Sequence, residues 1–271
     1  MTSLEFLYKT AFGRVLLKPL ISRPVSRICG AYLDSRLSKC HIKSFAKNNN
    51  INTDDYILDG IGSFNDFFCR KIKEGLRPVD MTENSFVAPC DGLLTVYPIT
   101  SGSVIPVKQS VYTISELLED EMLAADFNGG YCLVYRLCVD HYHRYGYVET
   151  GSKGANRFIS GKLHTVRPIA LSEYPVFVRN CREYCTIDTE THGKLVQIEV
   201  GAMLVGRIVN DVADPLNVVR GKEKGHFEYG GSTIIVLAQR GRVKIREDIM
   251  DSTMNGIETP VRFGEAVGEY L

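Results

Sequence analysis

Short apolar runs separated by glycine, proline and asparagine fill the chain from about residue 85 onward, and they restrict the fold more than any other feature. The runs are GLLTVYPI, YCLVYRLCV, KLVQIEVGAMLVGRIV and STIIVLAQRGRVKI. Such runs between turn residues are typical of short β-strands. One helix is expected to interrupt them near residues 113–121, with Thr113 or Ser115 as its cap. The pattern predicts a large, mainly antiparallel β domain.

The first 75 residues favour helices instead. The polar residues 48–55 break this helical region, and Thr53 or Asp54 is expected to cap the helix that follows. No repeat and no low-complexity linker divides the rest of the chain. We therefore predict an α+β protein, in which a helical N-terminal segment, residues 1–75, packs on a β-rich domain, residues 76–271.

Charge and cysteine content exclude several functional classes. Lysine and arginine together number 32, as do aspartate and glutamate, so no overall positive field favours nucleic acid as a partner. The eight cysteines form no Cys-x2-Cys pair, and a chain of 271 residues does not need disulfides for stability. We expect reduced, structural cysteines in a cytosolic setting, with a zinc site as the less favoured alternative. No apolar run approaches the ~18 residues of a membrane span, and no cleavable signal peptide is evident.

Residues 1–27 form a basic amphipathic pattern. Apolar residues recur at helical spacing, and the basic residues face a single acid, Glu5. The apolar positions are Leu4, Leu7, Tyr8, Ala11, Phe12, Val15 and Leu16, and the basic ones are Lys9, Arg14, Lys18, Arg23 and Arg27. The helix should end near Pro19. Two arrangements fit the pattern, a helix packed on the domain and a helix lying on a membrane surface.

Three short motifs carry candidate chemistry. His141 and His143 follow the run YCLVYRLCV, and on a continuing strand they would share one face, with Arg144 on the other. Asp91 lies in APCDG, and Ser232 lies in GGST directly before an apolar run. Each motif also has an ordinary structural explanation, because Asp-Gly and Gly-Gly are common in turns.

Taken together, seven blocks resemble the phosphatidylserine decarboxylases in sequence and order over nearly the whole chain. The blocks are SFNDFFCRKIKEGLRPVD (63–80), APCDG (88–92), YHRY (142–145), GKLHTV (161–166), IEVGAMLVGRIV (198–209), KGHFEYGGSTIIVL (224–237) and VRFGEAVGEYL (261–271). The glycine-serine-threonine block is the most specific, because it is the self-cleavage site in that family.

Members of that family are made as proenzymes, and the resemblance implies that Ser232 attacks the carbonyl of Gly231. Glycine suits this step, because it permits a bent backbone and no Cβ shields the carbonyl. Elimination and hydrolysis would then leave a covalent pyruvoyl group, derived from Ser232. The products would be a β chain, residues 1–231, and an α chain, residues 232–271.

The resemblance also implies the reaction. The serine amine of phosphatidylserine forms a Schiff base with the pyruvoyl group, carbon dioxide leaves, and phosphatidylethanolamine is released. His143 is the first choice for the residue that supplies the proton, and Asp91 for the residue that assists Ser232 during cleavage. No metal ion is implied.

One departure from the family pattern concerns cleavage. The commoner form of the histidine block reads Asp-Tyr-His-Arg-x-His, whereas this chain has His141 in place of the aspartate and Gly146 in place of the second histidine. The candidates for the missing base are His143, His141 and His164, in that order.

A lipid substrate favours the membrane-surface arrangement of the N-terminal helix. We therefore expect a peripheral membrane enzyme on the cytoplasmic face, and a homodimer is one assembly open to it. Two alternatives remain. A pyruvoyl-dependent decarboxylase of a soluble amino acid would use the same chemistry but would not need the basic helix. A lipid-binding relative that never matures would fit the missing second histidine.

Overall fold

Helices form most of the first 70 residues in the computed structural model of this chain, and strands prevail in the remainder. The structure describes residues 3–100, 104–107, 110–165, 170, 175–202, 207–230 and 232–271. Its α-helices are α1 (Ser3–Lys9), α2 (Ala11–Leu20), α3 (Arg23–Leu33), α4 (Ile42–Asn48), α5 (Phe64–Phe68), α6 (Ile114–Leu118), α7 (Glu121–Ala125), α8 (Val176–Arg179) and α9 (Glu247–Met254). Two 3-10 helices, Arg36–His41 and Thr53–Asp55, lie among them. None of the described helices is long and apolar enough to cross a membrane.

The strands build one large sheet and several small ones. They are β1 (Tyr56–Ile57), β2 (Lys71–Ile72), β3 (Ser85–Val87), β4 (Gly92–Pro98), β5 (Val104–Val107), β6 (Ser110–Thr113), β7 (Tyr131–Leu137), β8 (Arg144–Gly146), β9 (Gly151–Lys153), β10 (Arg157–Ile159), β11 (Arg182–Asp188), β12 (Lys194–Val200), β13 (Ile208–Asn210), β14 (Leu216–Val218), β15 (Glu223–Phe227), β16 (Ser232–Ala238), β17 (Val243–Ile245), β18 (Thr259–Val261) and β19 (Ala266–Tyr270).

The large sheet has the order β14-β9-β11-β12-β16-β7-β4-β18, and β10 pairs with β11. Its strand pairs are antiparallel. Smaller sheets have the orders β13-β15-β8, β17-β19-β3, β1-β2 and β5-β6. The predicted α+β fold with a mainly antiparallel sheet is confirmed, whereas the domain boundary near residue 75 stays a prediction.

Strand β16 lies inside the large sheet and is buried along its whole length. Ile235 and Leu237 pack into the core on one face of the sheet, and Ile234 and Val236 pack into the core on the other. A strand with both faces buried requires apolar residues without alternation, which explains the continuous run STIIVLA. Helices α6 and α8 cover the first face, and α9 with the sheet β17-β19-β3 covers the second.

The N-terminal segment is not the single helix that its sequence predicted. Thr10 separates α1 from α2, because its hydroxyl accepts the Gly13 N–H at 2.9 Å and caps α2. The predicted end near Pro19 is confirmed, since α2 ends one residue later and α3 follows after a short turn.

The two N-terminal arrangements turn out to be compatible. Tyr8 and Leu17 are buried against the β domain. Phe12 and Val15, on the predicted apolar stripe, remain 67% and 59% exposed, and Leu16 is also exposed. The segment therefore packs on the domain and still keeps an apolar surface in solvent.

Three local predictions have different outcomes. Thr113 caps α6 and forms a capping box with Glu116, as predicted. The prediction of Thr53 or Asp54 as a cap is wrong, because the Asn52 side chain accepts the Asp54 N–H and the cap comes one residue earlier. All eight cysteines are free thiols, in agreement with the sequence.

Glu199 of β12 and Lys224 of β15 form an ion pair that is completely buried. Lys224 Nζ lies 2.6 Å from Glu199 Oε2 and also donates to Asn210 Oδ1 at 3.0 Å. Gln197 Nε2 donates to Glu199 Oε1 and to the Gly146 carbonyl. Burial raises the pKa of Glu199, so its charge depends on these partners. The network joins the large sheet to the sheet β13-β15-β8.

Replacing Lys224 with methionine is expected to lower the free energy of unfolding by about 3–5 kcal/mol, because the Glu199 carboxylate would be left buried without a counter-ion. Urea unfolding at pH 7 would measure the loss. The double variant Lys224→Met/Glu199→Gln removes both charges and should recover part of it. A single variant as stable as the parent would show that the pair does not stabilise the fold.

Candidate active site

The three motifs that carry candidate chemistry lie at one end of the large sheet. Ser232, the first residue of β16, pairs with Leu137, the last residue of β7. On the other side of β7, the register with β4 places Gly92 beside Leu137. Asp91 directly precedes Gly92, and the histidine motif follows β7. Because neighbouring strands lie ~4.8 Å apart, these motifs begin within about two strand spacings of Ser232.

The turn before Ser232 has the geometry that the double glycine predicts. Gly230 has φ +141°, a value that residues with a Cβ rarely adopt. The Tyr229 N–H donates to Asn65 Oδ1 at 3.2 Å, which ties the turn to α5. Ser232 is buried, and its Oγ donates to the Gly230 carbonyl at 3.3 Å. Gly231, the other half of the predicted cleavage site, lies outside the described residues.

His143 lies in the turn after β7, with a side chain that is 1% exposed and a ring centroid 4.0 Å from that of Phe68. Its Nδ1 is 2.9 Å from the His141 carbonyl oxygen, and this contact assigns the proton of the neutral ring to Nδ1. Nε2 is buried and has no hydrogen-bond partner among the described residues. Burial, and then the charge of Arg70, hold the pKa of His143 well below its usual value. The ring is therefore neutral, with a lone pair at Nε2.

His141 is part of a tight turn and does not share a strand face with His143, so that prediction is wrong. The Cys138 N–H donates to His141 Nδ1 at 3.1 Å, and the His141 N–H donates to the Cys138 carbonyl at 3.0 Å. Cys138, Asp140 and His141 bring three ligand-type side chains together. Two of the atoms that could bind a metal already have hydrogen-bond partners. His141 Nδ1 accepts the Cys138 N–H, and Cys138 Sγ accepts a hydrogen bond from Arg136 at 3.2 Å. Burial lowers the pKa of His141.

His164 approaches the same end of the sheet from the side of β12. The register of β12 with β16 places Gly201 beside Ser232. Asn180 Nδ2 donates to the carbonyls of Gly201 and His164, both at 2.7 Å, so Asn180 links the two segments. Burial, with nearby positive charges, lowers the pKa of His164 to about 4. The imidazole is therefore neutral at pH 7.

Asp91 is held by an arginine that the sequence did not single out. Arg77 Nε and Nη2 donate to its two carboxylate oxygens at 2.7 and 2.6 Å, and the Phe263 N–H donates to Oδ1 at 2.9 Å. Within the described part of the chain, no hydrogen bond joins Asp91 to Ser232 or His143. Arg77 lies in the block SFNDFFCRKIKEGLRPVD, but nothing in that block indicates its partner.

Gly146 occupies a position without room for a side chain. A Cβ there would lie 2.8 Å from the Phe263 ring and 2.9 Å from the Lys222 carbonyl oxygen. Phe263, whose N–H also binds Asp91, thus fills the space beside the position where the commoner motif has its second histidine. This chain cannot hold that histidine without moving its backbone.

Comparisons with known proteins agree with the sequence motifs. Residues 64–269 match the family model described as Phosphatidylserine decarboxylase. A Clostridium acetobutylicum protein named phosphatidylserine decarboxylase proenzyme 2 is 42% identical over 267 residues, which cover 98% of this chain and 91% of that protein. Phosphatidylserine decarboxylase proenzymes of Ruminiclostridium cellulolyticum and Clostridium perfringens are 39% and 36% identical, over 99% and 96% of this chain and 91% and 90% of their own lengths.

By class the protein is a decarboxylase, a lyase that removes a carboxyl group. It belongs to the phosphatidylserine decarboxylase family, as its motifs predicted.

Replacing Gly146 with alanine is expected to lower the free energy of unfolding by about 1–3 kcal/mol, because the added methyl group would overlap the Phe263 ring and a backbone carbonyl. Gly62→Ala is the matched control, since a Cβ at Gly62 would meet only Asp66 Oδ2 at 3.5 Å. Urea unfolding compares the two variants with the parent. Equal stability of all three proteins would show that the space at Gly146 opens readily.

Proposed function

We propose that this chain is the proenzyme of a phosphatidylserine decarboxylase that cleaves itself between Gly231 and Ser232. One observation carries the proposal: Ser232 begins a buried internal strand directly after the turn at Gly230, where φ is +141°. A serine at such a bend is well placed to attack the carbonyl that precedes it. The proenzyme names of the relatives support the same function.

Cleavage converts Ser232 in place. Its hydroxyl attacks the Gly231 carbonyl and replaces the amide by an ester, elimination frees the Gly231 carboxylate, and hydrolysis of the remaining enamine releases ammonia and leaves a pyruvoyl group. The surroundings fit this small group, because Ser232 is completely buried and β16 is paired on both sides. A pyruvoyl group supplies a carbonyl that accepts the electrons released as carbon dioxide leaves.

His143 is the residue best suited to move protons at this site. Its Nε2 is a neutral acceptor without a partner among the described residues, whereas His141 Nδ1 is already bonded to the Cys138 N–H. As a base it would take the proton of the Ser232 hydroxyl. As an acid it must first gain a proton, and its lowered pKa then makes it a strong donor. His164 is a weaker candidate. The Asn180 side chain holds its main chain near β12, the strand that pairs with β16.

We also propose that the N-terminal helices attach the enzyme to a membrane surface on its cytoplasmic face. The exposed apolar residues there extend beyond α2 to α3 and the 3-10 helix after it. They are Phe12, Val15, Leu16, Ile28, Tyr32 and Leu37. Basic side chains at Arg14 and Lys18 are exposed next to them. An apolar surface flanked by lysine and arginine suits an interface with anionic lipid.

Intact-protein mass spectrometry of the purified chain beside a Ser232→Ala variant tests cleavage. We expect two fragments in the parent, split between Gly231 and Ser232 with the smaller blocked by a pyruvoyl group, and one uncut mass in the variant. Ser85→Ala, which alters another buried serine, is the control and should cleave normally. Only the cleaved proteins should release phosphatidylethanolamine from phosphatidylserine.

The outcomes separate the competing functions. A parent that stays uncut under all conditions would favour the lipid-binding relative that never matures, for which Gly146 is the supporting observation. A parent that is cut but acts only on a free amino acid would favour the soluble-substrate decarboxylase.

Sedimentation with vesicles tests the membrane surface. The triple variant Phe12→Ser/Val15→Ser/Leu16→Ser is expected to bind vesicles containing phosphatidylserine about 10-fold or more weakly, because three apolar side chains are lost from the interface. The control is Met254→Ser, another exposed apolar residue on a different helix, α9. Equal binding of both variants would place the contact elsewhere.

A further inference from the structure

Arg70 is a buried cation with incomplete hydrogen bonding. Its side chain is 2% exposed. Nη1 donates to the Phe67 and Phe68 carbonyls at 3.2 and 3.4 Å, and Nη2 donates to the Asp140 carbonyl at 3.4 Å. These distances are long for N–H···O bonds. Among the residues that the structure describes, Nε has no partner and no carboxylate pairs with the guanidinium.

Arg182, which is equally buried, shows a satisfied guanidinium in the same protein. Its Nε, Nη1 and Nη2 donate to the carbonyls of Leu117, Val178 and Glu116 at 2.7, 2.8 and 2.7 Å. Burying a charge costs several kcal/mol unless partners compensate. Arg70 lacks such short hydrogen bonds, and its guanidinium lies instead 4.2 Å from the centroid of the Tyr56 ring. An incoming anion would supply the counter-charge that the described residues do not provide.

Arg70 also lines a cavity of about 320 Å³, large enough for a small ligand. Its other polar walls include Asn65, Lys71, Arg144 and His226, and we name this space the Arg70 cavity. His226 Nδ1 is likewise buried without a partner in the described part of the chain.

Four acidic residues line the Arg70 cavity without pairing with Arg70. They are Asp66, which caps α5, Asp34, which accepts the Asn65 amide, Glu228, which pairs with Arg207, and Asp59, which is exposed. A wall with both signs of charge suits a headgroup that carries an ammonium group and anionic oxygens.

Two contacts connect the segment around the Arg70 cavity to the candidate active site. Phe68, two residues before Arg70, packs its ring against His143. Asn65 lines the cavity and accepts the Tyr229 N–H in the turn before Ser232. A ligand in this space would therefore lie next to the groups that we assign to cleavage and proton transfer.

We propose that Arg70 binds an oxyanion of the phospholipid headgroup, either the phosphodiester or the serine carboxylate, in the Arg70 cavity; this inference rests on the proposed function. A guanidinium matches both oxyanions through two parallel N–H···O bonds. Binding would give Nε its missing acceptor and would hold the headgroup beside His143.

Calorimetric binding of soluble short-chain phospholipids to the uncut Ser232→Ala chain tests the proposal without any reaction. Adding Arg70→Gln is expected to weaken the binding of short-chain phosphatidylserine by about 10- to 100-fold, because a charge-assisted bidentate contact is lost. Short-chain phosphatidylethanolamine, which lacks the carboxylate, identifies the oxyanion. Equal losses for both lipids assign Arg70 to the phosphodiester, and a loss confined to phosphatidylserine assigns it to the carboxylate.

Arg240→Gln is the matched control, because it makes the same substitution at an exposed arginine that does not line the Arg70 cavity, and it should change affinity less than about 2-fold. If Arg70→Gln does not fold, Arg70→Lys takes its place in the test. This variant keeps the charge but not the planar fork, and it should bind with intermediate affinity. Unchanged affinity in a folded Arg70 variant overturns the proposal, as does a Ser232→Ala parent that binds neither lipid. Failure of the parent chain to cleave would count against the proposed function instead.

Discussion

The pairing of β16 with β12 on one side and β7 on the other is the interaction on which the rest of the structure depends. The ladder with β7 runs from Ser232 to Ala238, and the side chains of this strand fill the cores on both faces of the sheet. Because Ser232 is the first residue of the strand, a cut before it would leave the pairs from Thr233 to Ala238 in place. Farther along, β18 pairs with β4 and β19 with β3, so residues 232–271 are held by strands of the preceding segment.

Burial at the end of this ladder also decides the state of its ionisable groups. Desolvation is the largest cause of the lowered pKa values of His143, His141 and His164, so these rings are neutral. In the same region, Arg77 donates two hydrogen bonds to the Asp91 carboxylate. If Asp91 assists Ser232, Arg77 sets the position of its carboxylate.

Local patterns predicted the features that neighbouring residues control. The apolar runs became strands, Thr113 capped its helix, and the double glycine produced the bend at Gly230. Errors arose where a hydrogen bond ended an element without a sequence signal. The turn between Cys138 and His141 stops β7 before the histidines, and the Thr10 hydroxyl divides the N-terminal helix.

The sequence by itself determined that a strongly apolar strand begins at Ser232 directly after a pair of glycines, because strand propensity and glycine conformation are properties of adjacent residues. It also placed the chain in its family through seven ordered blocks. Only the tertiary structure decided that Asp91 pairs with Arg77, that Phe263 fills the space beside Gly146, and that no carboxylate among the described residues pairs with the buried Arg70. These outcomes depend on which side chains packing brings together across the chain, and no local pattern encodes that arrangement.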